Sequence, residues 1–186
     1  TEIVFNKPPL LIWWLQLAFL LGGTAVATAR FAILLLNLAG LAALGWLAAH
    51  WWRQRWAGPM AMALWLLIPE ALVRLGVVMN DLPGLSLLLL TLAALTRFRQ
   101  TQKWGWTAVS GTLFGLTLGI HPLLLFAALP LAFLLLWDQP DNRQRLKSGL
   151  IFGGFTGLAT AVWLLPSFSE SFVRWVFTYN SAELGL

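Results

Sequence analysis

Six ionisable residues stand in sequence that is otherwise strongly apolar: Lys7, Arg30, Glu70, Arg74, Asp81 and His121. An ionisable group at membrane depth is expensive, so each of these is a functional candidate. Lys7 precedes Pro8-Pro9 at the edge of an apolar run. Its ammonium at headgroup level suits a lipid phosphate, and suits ordinary interfacial snorkelling as well. Asp81 follows Asn80 at the start of an apolar segment. A carboxylate there is favoured by the helix dipole, or holds a cation or a basic side chain. Arg74, seven residues earlier, is placed to pair with it. Arg30 needs a partner if it is buried, and Glu70 and Asp81 are the acids at hand. His121 sits in the break Gly119-Ile120-His121-Pro122. Irregular backbone at membrane depth is tolerated only inside protein or beside a water-filled cavity, which leaves His121 as an interior residue, a ligand or a base. There is no cluster with metal-ligand spacing, no nucleophile elbow and no phosphate-binding glycine loop. The residues alone therefore assign neither a catalytic group nor a metal ligand.

The elements that position these groups follow from composition. Hydrophobic residues make up 59% of the chain and charged residues 10%, and the mean hydropathy is +0.78. Soluble domains carry about 25% charged residues, so the polar surface a soluble domain needs is missing. The apolar runs are continuous and do not alternate, which excludes a β-barrel. They predict an all-α membrane protein, a polytopic transmembrane helix bundle of about 6–7 hydrophobic segments. The segments run at about 8–21, 24–50, 57–73, 82–96, 104–118, 122–137 and 148–165, with an interfacial tail at 167–186. The whole of 1–186 reads as a single transmembrane domain, expected to be part of a longer chain because it begins at Thr1 with no charged leader. With no cysteine, disulfide and thiolate chemistry are excluded.

Charge placement predicts orientation. Eight of the twelve basic residues (Arg53, Arg55, Arg97, Arg99, Lys103, Arg143, Arg145 and Lys147) fall in three breaks between segments. The positive-inside rule makes those loops cytoplasmic in a multi-pass protein of the plasma or inner membrane. Threading then puts Glu70, Arg74, Asp81 and His121 on the outer face. Lys7 joins them if the 8–21 segment, about 21 Å long as a helix, does not cross fully. Trp51, Trp52, Trp56, Trp104, Trp106 and Trp137 fall at the cytoplasmic interface, where an apolar ring with one wet N–H is favoured. Gly111, Gly115 and Gly119, and again Gly149, Gly153 and Gly157, mark helix faces that allow close approach. The lipid bilayer is the expected partner, and no free basic patch with interleaved aromatics points to nucleic acid.

The stretch Phe5-Asn6-Lys7-Pro8-Pro9-Leu10-Leu11-Ile12-Trp13-Trp14 resembles the K-P-P-L-x-x-W stretch of polyprenyl-phosphate-sugar-dependent glycosyltransferases of the GT-C type. The nearest groups are the protein O-mannosyltransferases and lipid A aminoarabinose transferases. The order downstream is similar: Gly22-Gly23, Ala29-Arg30, Pro69, Arg74, Asp81-Leu82-Pro83, a basic break and Gly111–Leu116 as G-x-x-x-G-L. The resemblance implies a GT-C-like fold. It also implies inverting transfer of a sugar, a hexose or a pentose, from a polyprenyl-phosphate donor on the extracytoplasmic face. Lys7, Arg30 and Arg74 would bind lipid phosphate, with Asp81, Glu70 and His121 supporting the site. The family's general base lies in an outer loop that would precede Thr1. Asn6 stands where an acid often precedes the lysine and helps hold a divalent cation, and His121 stands where a lysine is usual.

Two other readings use the same residues. A non-catalytic membrane subunit could keep the GT-C-like scaffold inside a larger complex with other membrane subunits. A transporter could use Asp81 and His121 as a proton relay, but it would show symmetry between halves that the sequence lacks.

Overall fold

The structure, a computed structural model, describes residues 9–137, 139 and 141–165, and these form helices and turns with no strand. The helices are α1 (Pro9–Gly22), α2 (Val26–Trp51), α3 (Ala57–Leu66), α4 (Pro69–Arg74), α5 (Asp81–Thr101), α6 (Trp104–Ile120), α7 (Ala128–Trp137) and α8 (Asn142–Leu164). A 3-10 helix, Pro122–Ala127, leads into α7. Two helices, α2 and α5, are long and apolar enough to cross a membrane, and α1, α3 and the Pro122–Trp137 stretch are shorter apolar helices. Lys7 and the 167–186 tail lie outside the described residues.

The apolar stretch 57–73, read above as one segment, is two helices. Ile68 is extended (ψ 109°) and Pro69 opens α4. Proline has no N–H to continue the ladder and pushes its predecessor out of the helical region, so α3 ends and a new axis begins. Two other helices overrun the apolar runs that announced them. α5 continues from Asp81 to Thr101 and carries Arg97 and Arg99 on its last turns, ending only at Gln102 in the left-handed region (φ 53°). α8 starts at Asn142, six residues before its apolar run, and carries Arg143, Arg145 and Lys147. Asp141 caps it, its carboxylate accepting from the Arg143 N–H at 3.2 Å. Most of the residues read as basic loops are therefore helical ends. Cations are favoured by the dipole at the end of α5 but not at the start of α8.

Contacts between helices fix the topology. Ser86 meets Asn37 and Gly40, and Gln100 meets His50, so α2 and α5 run parallel. Gly84 packs on His121 and Phe98 on Trp104, so α6 returns antiparallel to α5. Gly115 packs on Ala159 and Gly119 on Trp163, so α8 runs parallel to α6 after α7 has carried the chain back. The core lies among α5, α6, α7 and α8 and is built of Leu95, Phe98, Phe114, Leu131, Phe152 and Trp163 with their neighbours. This arrangement gives the bundle two chemically different ends. The starts of α4 and α5 and the end of α6 share one. The ends of α2 and α5 and the starts of α3, α6 and α8, with the arginines and lysines, share the other.

Candidate functional site

Four of the six candidate residues converge at the first end. Arg74 closes α4, one turn after Glu70, and pairs with the Glu70 carboxylate through Nη2. Its Nη1 lies 3.4 Å from Asp81 Oδ2. The other Asp81 oxygen, Oδ1, lies 3.3 Å from His121 Nε2. A chain of alternating groups results: Glu70, Arg74, Asp81, His121. Both Asp81 oxygens are engaged, and the side chain is half exposed (49%). Arg74 spends two of its five N–H donors on these carboxylates, so donors remain for a further anion. In neutral His121 this pairing favours the tautomer that donates from Nε2. Nδ1 is buried and has no hydrogen-bond partner among the described residues.

Local sequence explains the placement. Asp81 takes the first position of α5, where a carboxylate is favoured by the dipole. Pro122 ends α6 and leaves His121 off the helical geometry (φ −142°, ψ 85°). His121 can then turn toward α5 because Gly84 is one turn inside Asp81. A Cβ at Gly84 would lie 2.7 Å from the His121 Cβ, so the imidazole seats where only glycine leaves room. The non-helical stretch 75–80 that joins Arg74 to Asp81 is held from below. Asn37 Nδ2 donates to the Leu75 carbonyl at 2.7 Å, and Asn37 Oδ1 accepts from Ser86 Oγ at 3.1 Å. A small cavity of about 10 Å³ lies against the same stretch, lined by Asn37, Ser86, Leu41, Trp65, Leu75 and Leu82 among others.

The remaining candidates stand differently. Arg30 is exposed on the first turns of α2 and makes no ion pair with Glu70 or Asp81. An exposed guanidinium needs no buried partner, and the two acids are taken by Arg74 and His121. Lys7 is outside the described residues. Among the described residues, no three His, Cys, Asp or Glu side chains group as a metal set. Sequence reasoning missed Asn37, Ser86 and Gly84, which position the cluster without joining it. Asn37 had a signal: it is the only amide or hydroxyl side chain between Phe31 and Ala49. A buried amide in such a run must find partners.

The helical, apolar bundle gathers a guanidinium, two carboxylates and an imidazole at one end, and two of its helices are long and apolar enough to cross a membrane. Residues 6–166 match the sequence model of the dolichyl-phosphate-mannose-protein mannosyltransferase family. The chain belongs to that family, which makes it a membrane glycosyltransferase chain of the GT-C kind. No curated protein and no solved structure gives a significant match. The matched span takes in all six candidate residues.

Proposed function

We propose that this chain forms the lipid-phosphate side of an active site that moves a sugar from a polyprenyl-phosphate donor to an acceptor on the extracytoplasmic face. The observation that carries the reading is Arg74, fixed between Glu70 and Asp81 with guanidinium donors to spare. A guanidinium braced by two carboxylates is pre-aimed, and its planar fork matches phosphate oxygens. Arg30 supplies a further cation, and Lys7, in the K-P-P-L stretch of the sequence, another. Asp81, Glu70 and His121 hold the guanidinium in place. Asp81 has both oxygens paired and Glu70 is bound to Arg74, so both are given the role of bracing the guanidinium. The general base is assigned to a residue outside this set. In this reading the apolar segments make a multi-pass bundle, the basic end faces the cytoplasm, and the cluster faces outward.

The test is turnover of a radiolabelled polyprenyl-phosphate sugar by the full-length protein in proteoliposomes, compared with Arg74→Ala and Lys7→Ala. Transfer by the wild type, with KM for the donor raised at least tenfold in each variant, supports the assignment. Wild-type transfer that neither substitution alters would overturn it. Binding of the lipid phosphate without transfer of any sugar would turn the reading to the non-catalytic subunit.

A further inference from the structure

The end of the bundle opposite the cluster is unlike the rest of the surface. The turn between α2 and α3 reads Trp51-Trp52-Arg53-Gln54-Arg55-Trp56, and all six residues are exposed. Trp52 is 69% exposed and Trp56 60%. Beside it, the end of α5 and the turn into α6 present Arg97, Arg99 and Lys103, and the start of α8 adds Arg143, Arg145 and Lys147. Gln100 hydrogen-bonds His50, bringing the first two basic stretches together. The Lys147 ammonium lies 4.5 Å from the Trp104 ring centre, which brings in the third. Asp138 and Asp141, just ahead of the third stretch, are the nearest acids in the sequence to any of the three. Part of this cationic charge is tied into the fold: Arg97 stacks 5.0 Å over Trp46 and donates to Gln100, and Arg145 donates to the Gln139 carbonyl. Arg53, Arg55 and Lys103 make no ion pair among the described residues.

We infer that this end is a docking surface for acidic phospholipid headgroups, centred on Arg53, Arg55 and Lys103. Three exposed tryptophans on one six-residue turn are poorly placed in bulk water. They are well placed at the headgroup level of a bilayer, with the ring in the apolar layer and the N–H wet. At that depth the intervening arginines meet lipid phosphates. Cations far outnumber acids in these stretches, and the excess complements an anionic leaflet. The inference stands apart from the proposed reaction, since it concerns the opposite end of the molecule.

Spin-labelled phosphatidylglycerol and phosphatidylcholine compared as ligands of the full-length protein in phosphatidylcholine bilayers provide the test. The wild type is expected to prefer phosphatidylglycerol severalfold. The preference should fall to parity at about 1 M salt, where the screening length shrinks to about 3 Å. The triple variant Arg53→Gln, Arg55→Gln, Lys103→Gln should lose most of that severalfold preference. Equal association of the two lipids with the wild type, a preference that salt does not weaken, or a preference the triple variant keeps would each overturn the inference. If the triple variant fails to fold, the wild-type salt series and the charge-keeping variant Arg53→Lys, Arg55→Lys decide, since the latter must retain the preference.

Discussion

The Asp81 carboxylate is shared between two residues that approach it from different helices, with His121 Nε2 3.3 Å from one oxygen and Arg74 Nη1 3.4 Å from the other. An amide cannot replace it. In the Asp81→Asn variant, an amide oxygen facing Arg74 would leave the NH2 facing His121 Nε2. The imidazole would then have to carry its proton on Nδ1, which is buried without a partner among the described residues. We therefore expect Asp81→Asn to keep the fold and misplace Arg74. Stability should change by less than about 1 kcal/mol, because the Asp81 carboxylate is half exposed. Donor turnover should fall roughly 10- to 100-fold, as a displaced positioning group does. Thermal unfolding and kcat against KM, measured on the same preparation, separate the two effects.

Glu70 and Asp81 both contact Arg74, but not with equal consequence. Glu70 is 67% exposed and is an i,i+4 neighbour on α4, whereas Asp81 joins α4 to α5 and to His121. Glu70→Gln is expected to change stability by no more than about 0.5 kcal/mol and donor KM by less than threefold, the range of an exposed helical pair. Arg74→Gln removes the shared cation and should raise donor KM at least tenfold, since a charged hydrogen bond contributes about 1.5–3 kcal/mol. Steady-state kinetics with the two variants in parallel check the ordering.

The two glycine ladders make a sharper contrast. Gly111, Gly115 and Gly119 and Gly149, Gly153 and Gly157 are indistinguishable as patterns, yet only the first is a helix contact within the described chain. A Cβ at Gly115 would meet the Thr156 carbonyl oxygen at 2.6 Å and the Ala159 Cβ at 2.7 Å, whereas one at Gly153 or Gly157 would meet nothing within 4 Å. Gly115→Ala is expected to destabilise by about 1–3 kcal/mol, because backbone cannot give way as a flexible side chain would. Gly153→Ala should be neutral or stabilising by up to about 1 kcal/mol through helix propensity. Unfolding midpoints in detergent micelles distinguish them.

That contrast shows how far sequence carries. Apolar runs mark helices because a run without charges has only lipid or core to face, and ionisable residues inside such runs mark candidate sites for the same reason. Four of the six candidates do come together. The pairing of residues forty positions apart, Asp81 with His121, depends on α6 returning beside α5, and no local pattern records it. Nor does hydropathy reveal that α3 ends short of Ile68, because proline breaks a helix without changing how apolar it is. Charge alone matches Arg30 to Glu70 and Asp81. The fold gives those acids to Arg74, which is tethered to one of them by helix periodicity.

Asn37 supports the site from inside the bundle. Its amide donates to the Leu75 carbonyl and accepts from Ser86, linking α2 to α5 and to the stretch that carries Arg74 into Asp81. Asn37→Leu preserves approximate volume but leaves the Leu75 carbonyl and the Ser86 hydroxyl without their partner. The expected loss is about 1–3 kcal/mol, from a part-buried carbonyl and a buried hydroxyl left without their partner. Ser86→Ala removes only one donor and creates little space, so about 1 kcal/mol or less is expected. Position matters beyond stability, because residues 75–80 set the distance between Arg74 and Asp81. Asn37→Leu should therefore raise donor KM even at temperatures where the variant is fully folded, while Ser86→Ala should not. If both variants lose stability but keep wild-type KM, Asn37 is a packing residue and the 75–80 stretch is held by its own backbone hydrogen bonds, Val77 N–H to Arg74 O and Gly84 N–H to Asn80 O.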